Sequence, residues 1–178
     1  MKTLTLLRHA KSSWDDRIAR DFDRPLNARG RRAAKTIGRE MRALGLRFDQ
    51  VLASPAVRVV ETISEVEGGY GAALGTRFDQ RIYLASTDML LELVQGAEES
   101  AASLLLVGHN PGLESIAMLL SGAGALRDDL AVKYPTGTLA EISLPVSSWS
   151  EVGEAVGTIT RFIRPRDLDP ELGPDEES

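Results

Sequence analysis

Leu104-Leu105-Leu106-Val107-Gly108-His109-Asn110-Pro111-Gly112 spells a strand, a turn and the start of a helix. Four consecutive apolar side chains leave no polar face for water, as in a central parallel strand covered on both sides. Asn110 is suited to cap a helix and Pro111 to open one, while Gly112 lets a ligand approach the backbone. Leu113, Ile116, Ala117 and Leu120 then recur at helical spacing.

The same alternation extends outward. Leu4 to Leu7 reads as a first strand. Asn27 caps a helix running to about Leu44, stopped by Gly45, with Ala33, Ala34, Ile37, Met41 and Leu44 on one face. Val51-Leu52-Ala53 is a second strand. Ser54-Pro55 opens the next helix, with Ser as cap and Pro first, and Val57, Val60, Ile63 and Ser64 along one side. A weaker strand is expected over Arg77 to Tyr83 and a helix over Thr87 to Gln95, stopped by Gly96. Two more strands are expected over Thr138 to Leu144 and Val156 to Ile163. The pattern predicts an α/β fold: one three-layer α/β/α domain with a mostly parallel central sheet. Such sheets bind ligands outside the carboxyl ends of their strands.

Bulk properties narrow the function. The 178 residues suit one ordinary domain with a core of its own. We assign residues 1–164 to that domain and 165–178 to an acidic, mobile C-terminal tail. The absence of cysteine excludes disulfides and thiolate metal sites. No signal peptide and no run of the ~18 apolar residues that spans a bilayer are visible, so a cytoplasmic protein without membrane contacts is expected. The net charge of -5 argues against nucleic acid. Arg29, Arg31, Arg32, Lys35 and Arg39 form a basic helix face, read as solvated.

The chain has two histidines, His9 and His109, and each follows an apolar strand at the edge where a ligand belongs. The alternative is a pair of core histidines. Arg8 precedes His9; a buried arginine needs an anionic partner, either a ligand or a core carboxylate. Neighbours in a strand face opposite ways, so the chain must leave strand geometry there if both serve one site. Arg58 lies one turn into a helix, where the dipole disfavours a cation. A bound anion outweighs that penalty, or else Glu61 pairs with it three residues on. Two arginines, two histidines and two helix starts suit a phosphate dianion. A histidine among cations stays neutral, which leaves a nitrogen able to attack phosphorus. Phosphoryl transfer needs mainly positioning and charge stabilisation, which these groups supply without a metal or cofactor.

These residues also resemble a known family. Leu7-Arg8-His9-Ala10 resembles the Arg-His-Gly signature of the histidine phosphatase superfamily, which has the phosphoglycerate mutase-like fold; Ala10 replaces the usual glycine. Ser54 to Thr62 resembles the family's second arginine segment, and Gly108-His109-Asn110 its second histidine segment. The closer resemblance is to the short SixA-like branch, through Arg8 to Ser12, Asp23-Arg24-Pro25-Leu26-Asn27, Gly108 to Gly112, Pro135-Thr136-Gly137 and Arg164 to Leu168. The resemblance implies that His9 is the phosphorylated nucleophile, that Arg8, Arg58 and His109 form the phosphate pocket, and that Lys11 and Ser12 line its entrance. It implies a protein phosphohistidine phosphatase whose partner is a phosphohistidine-bearing signalling protein.

Many family members use a carboxylic acid to protonate the leaving oxygen, and Asp88 is the candidate here. A site without such an acid favours N–P over O–P substrates, because imidazole carries a proton near neutral pH while an alkoxide needs one supplied. The alternatives are a phosphomonoesterase or mutase acting on a small metabolite, a non-catalytic phosphate-binding module, and a two-histidine metal site. The last has poor ligand spacing.

Overall fold

The apolar run at 104–107 forms the middle of the sheet. In this computed structural model, which describes residues 1–14 and 20–173, β4 (Ser103–Gly108) lies between β2 (Gln50–Ala53) and β1 (Lys2–Arg8), parallel to both. Leu104 to Val107 are fully buried. Leu104 and Leu106 enter one core while Leu105 and Val107 enter the other, as the two-residue period of a strand requires. The other strands are β3 (Arg77–Phe78), β5 (Leu139–Leu144) and β6 (Thr158–Ile163), in the order β3-β2-β4-β1-β5-β6. Only β5 runs against its neighbours. The sheet is therefore mostly parallel, as expected.

Helices cover both faces. Helices α1 (Ala28–Ala43) and α2 (Val57–Tyr70) pack on the face of Leu105 and Val107. Helices α3 (Thr87–Gln95), α4 (Gly112–Leu120) and α5 (Ala125–Val132) close the other. Sequence reading did not find α5, whose only buried residue is Leu130. Glycines bring α1 and α2 together: a Cβ on Gly38 would lie 2.2 Å from the Val66 carbonyl oxygen, and one on Gly69 2.1 Å from that of Lys35. Among the described residues no helix is long and apolar enough to cross a membrane.

Four expectations need correction. Helix α2 starts at Val57, not at Pro55, and Ala56 stands at its cap. Its buried side carries Arg58, Val59, Thr62, Ile63 and Val66, whereas Val60 is exposed. The apolar pattern was mis-phased because two polar residues share the buried face. The strand expected over Arg77 to Tyr83 stops at Phe78, where Asp79 caps a 3-10 turn, Gln80–Ile82. Finally, the folded unit passes residue 164. Helix α6 (Pro165–Leu168) and a 3-10 turn, Pro170–Leu172, follow; Pro165 and Leu172 are buried, and Arg32 of α1 pairs with Asp169 and Glu171 at 2.5 and 2.7 Å. The basic face of α1 thus holds acidic residues assigned above to a mobile tail. The rest of that tail, 174–178, lies outside the described residues.

Candidate active site

Three adjacent parallel strands end at the pocket. Arg8 pairs with Gly108 in register, so His9 and His109 emerge side by side, with ring centres 5.3 Å apart. The His9 amide donates to the Gly108 carbonyl at 3.1 Å, and the Ser54 amide to that of Val107 at 3.1 Å. His9, His109 and Ser54 therefore follow β1, β4 and β2 along one edge, where a parallel sheet is expected to bind ligands.

The chain turns out of strand geometry at His9 because several groups hold it. The Gly137 amide lies 3.1 Å from the Arg8 carbonyl oxygen and 2.9 Å from that of His9. Gly137 has φ +71°, a conformation open to glycine. The Ala10 amide donates to Thr62 Oγ1 at 2.9 Å, and that hydroxyl donates to the Arg58 carbonyl at 2.7 Å. Helix α1 presses on the next residue: a Cβ on Gly30 would lie 2.0 Å from the Lys11 carbonyl oxygen. Arg8 and His9, although neighbours, thus line the same pocket. Arg8 Nη1 donates to the Tyr134 carbonyl at 2.9 Å.

His9 Nδ1 lies 2.7 Å from the Ala10 carbonyl oxygen. A carbonyl only accepts, so Nδ1 carries the proton and Nε2 keeps its lone pair. Burial, and then the Arg8 charge, hold the His9 pKa well below its ordinary value.

Arg58 stands in the first turn of α2 and is almost wholly buried. Its Nη1 donates to the Asp21 carbonyl at 2.8 Å, and its Nη2 lies 3.1 Å from Asp21 Oδ2 and 3.3 Å from His109 Nδ1. The alternative pairing with Glu61 is not found; Glu61 accepts the Leu26 amide at 2.8 Å and pairs with Arg31. Arg58 Nε is buried without a hydrogen-bond partner. Because Arg58 can only donate, His109 Nδ1 accepts, and the Nε2 proton is given to Ser54 Oγ at 2.8 Å. Burial, and then Arg58, lower the His109 pKa to about 3.

Sequence reading missed three members of the pocket and its frame. Asp21 faces Arg58; Tyr83 holds Asp21 through a 2.6 Å hydrogen bond to Oδ2; Ser54 was read only as a cap. Burial would raise the Asp21 pKa, but the Tyr83 hydroxyl, Arg58 and Arg24 outweigh it and lower the value to about 2. The available signal was position, since Asp21 lies three residues before Arg24 in the quoted Asp23-Arg24-Pro25 segment. Arg24 donates to Asp21 at 3.0 Å and to Ser12 Oγ at 2.7 Å, and stacks on the Trp14 ring.

Arg8, His9, Arg58 and His109 line one recess of about 230 Å³, with Lys11 and Ser12 in its wall. Asp21 is its only carboxylate among the described residues. Asp88 is exposed in the first turn of α3 and does not line it. No group of three or more His, Cys, Asp or Glu placed so that it could hold a metal ion occurs among the described residues. The recess is a cationic cradle around two neutral imidazoles, suited to a phosphate dianion.

Residues 4–140 match the histidine phosphatase superfamily (branch 1). An uncharacterised protein of Mycobacterium tuberculosis is 31% identical over 164 residues, covering 90% of this chain and all of its own. Two solved structures are similar throughout. A candidate phosphohistidine phosphatase SixA from Nakamurella multipartita is 27% identical, with TM-score 0.81, over 92% of this chain and 96% of that one. Its counterpart from Agrobacterium tumefaciens is 28% identical, with TM-score 0.78, over 92% and 98%.

Proposed function

The chain belongs to the histidine phosphatase superfamily and is a phosphatase, and from that premise we propose that it hydrolyses phosphohistidine on a signalling protein, without a metal, through a phosphohistidine of its own at His9. His9 Nε2 attacks phosphorus while Arg8 and Arg58 hold the phosphoryl oxygens, joined by His109, whose Nδ1 takes a proton from solvent as the dianion binds. The N–P bond of the substrate breaks, and its imidazole leaves with its pair of electrons, neutral because its other nitrogen already carries a proton. Water then attacks phosphorus on His9. The Nε2–P bond breaks, and the proton lost by water leaves on inorganic phosphate. The Ala10 carbonyl serves both halves: by keeping Nδ1 protonated it leaves Nε2 nucleophilic, and it makes the phosphorylated ring a good leaving group.

One observation carries the choice of substrate. Asp21, the only carboxylate lining the recess among the described residues, has a pKa lowered to about 2 and holds no proton near neutral pH. An alkoxide leaving group needs an acid, whereas a protonated imidazole does not. The test compares phosphohistidine with a simple alkyl phosphate in the presence of a chelator, for the native chain and for His9→Ala. Turnover of phosphohistidine far above that of the alkyl ester, lost in His9→Ala, is expected. Equal rates would sink the N–P preference, and loss of activity with the chelator would sink the metal-free reaction.

A further inference from the structure

A second recess adjoins the first, sharing Lys11 and Thr136 with it. Four cations line it: Lys11, Arg29, Arg164 and Arg166. Among the described residues no carboxylate does. Arg164 is tied to Asp167 at 2.8 Å, but Arg29 and Arg166 are exposed and form no ion pair among the described residues. The floor is apolar, made by Ala33, Pro135, Pro165 and Leu172. This concentration of positive charge stands on a chain whose net charge is -5, so the rest of the surface is more acidic still.

We propose that this recess receives an acidic side chain of the protein substrate, near the phosphorylated histidine in sequence or space, and so selects among phosphohistidine proteins. The proposal rests on the reading of the neighbouring pocket as the phosphatase site. The recess is small, about 20 Å³, suited to a side-chain tip and not to a separate ligand. Its continuity with the catalytic pocket through Lys11 and Thr136 allows one polypeptide segment to occupy both. Cations over an apolar floor hold a carboxylate by charge and its methylenes by contact. Charge complementarity of this kind contributes selectivity and encounter rate more than raw affinity.

The test uses peptides carrying a non-hydrolysable phosphonate analogue of phosphohistidine, one flanked by glutamates and one by alanines. Binding to the native chain is compared with binding to Arg29→Glu/Arg166→Glu. A glutamate in the first turn of α1 suits the helix dipole, and unchanged turnover of an aryl phosphate shows that the variant is folded. The native chain is expected to prefer the acidic peptide by about tenfold, the effect of two rim ion pairs, with the preference fading in high salt and absent in the variant. Equal binding of the two peptides by the native chain, or a preference retained in the variant, would overturn the proposal. So would a preference that arises only when residues 174–178 are removed, since that assigns the recess to the chain's own acidic terminus. Turnover of phosphohistidine is measured separately, so the reaction and the docking recess can fail independently.

Discussion

The Tyr83 hydroxyl donates to Asp21 Oδ2 at 2.6 Å, the same oxygen that faces Arg58 Nη2 at 3.1 Å. Tyr83 thus sets where a negative charge sits in the wall of the recess that holds His9 and His109. Asp21→Asn removes that charge and keeps an acceptor for both partners. Inorganic phosphate, measured as a competitive inhibitor, is expected to bind several-fold tighter because a like charge has gone. Weaker inhibition would mean that Asp21 serves mainly to orient Arg58.

The histidines impose a pH dependence on stability. Both have lowered pKa values, so the unfolded chain binds protons that the folded chain refuses. Their contribution is complete above the unfolded value of about 6.5 and is lost as pH falls towards about 3, the folded value of His109. Tm should therefore drop steeply below pH 6, and less steeply in His109→Gln. Bound phosphate should raise the pKa of both rings, since the dianion favours imidazolium. Ring-proton shifts in NMR titrations with and without phosphate measure this directly; unchanged values would contradict it.

Ser54 is a positioning residue that fixes the His109 tautomer. In Ser54→Ala the Nε2 proton loses its acceptor in a buried place, at a cost of about 1–2 kcal/mol in stability. Turnover of an aryl phosphate should fall by about tenfold or more, and Thr at this position should restore part of it. A stability loss with unchanged kcat and KM would reduce Ser54 to a structural role.

Gly30 and Gly38 separate activity from stability. Gly38→Ala overpacks α1 against α2 far from the pocket and should cost about 1–3 kcal/mol, read in Tm, with kcat little changed at a temperature where the variant is folded. Gly30→Ala pushes on the Lys11 carbonyl, two residues after His9, and should lower kcat as well. Equal kcat effects in the two variants would contradict the coupling.

Leu172→Ala tests the end of the folded unit. If residues 165–173 belong to the core, as the burial of Leu172 indicates, the change costs about 2–3 kcal/mol by denaturant titration. A change below about 0.5 kcal/mol, typical of an exposed site, would restore the boundary at 164.

The sheet was legible where burial is two-sided, as at Leu104 to Val107, because an uninterrupted apolar run admits few readings. The positions of His9, His109 and Arg8 were legible from two histidines and an arginine at strand ends, and that of Arg58 from a cation set against the dipole of a helix start. The buried face of helix α2 was hidden because Arg58 turns inward to line the pocket and Thr62 to accept the Ala10 amide, and apolar periodicity cannot see that. Asp21 and Tyr83 come from turns 62 residues apart, and nothing local in either turn announces the other. The C-terminal segment is acidic and proline-rich, as a tail is, but Pro165 and Leu172 anchor it in the core and Arg32 pairs with its Asp169 and Glu171.

The juxtaposition of β1, β4 and β2 has a kinetic consequence. Residues 9, 54 and 109 become neighbours only after β4 has inserted between two strands that precede it in the chain. Each closure spans a long loop, and such non-local pairing is slow. No partly assembled sheet contains the pocket, so regain of phosphatase activity during refolding marks insertion of the central strand, whatever helix content has formed beforehand.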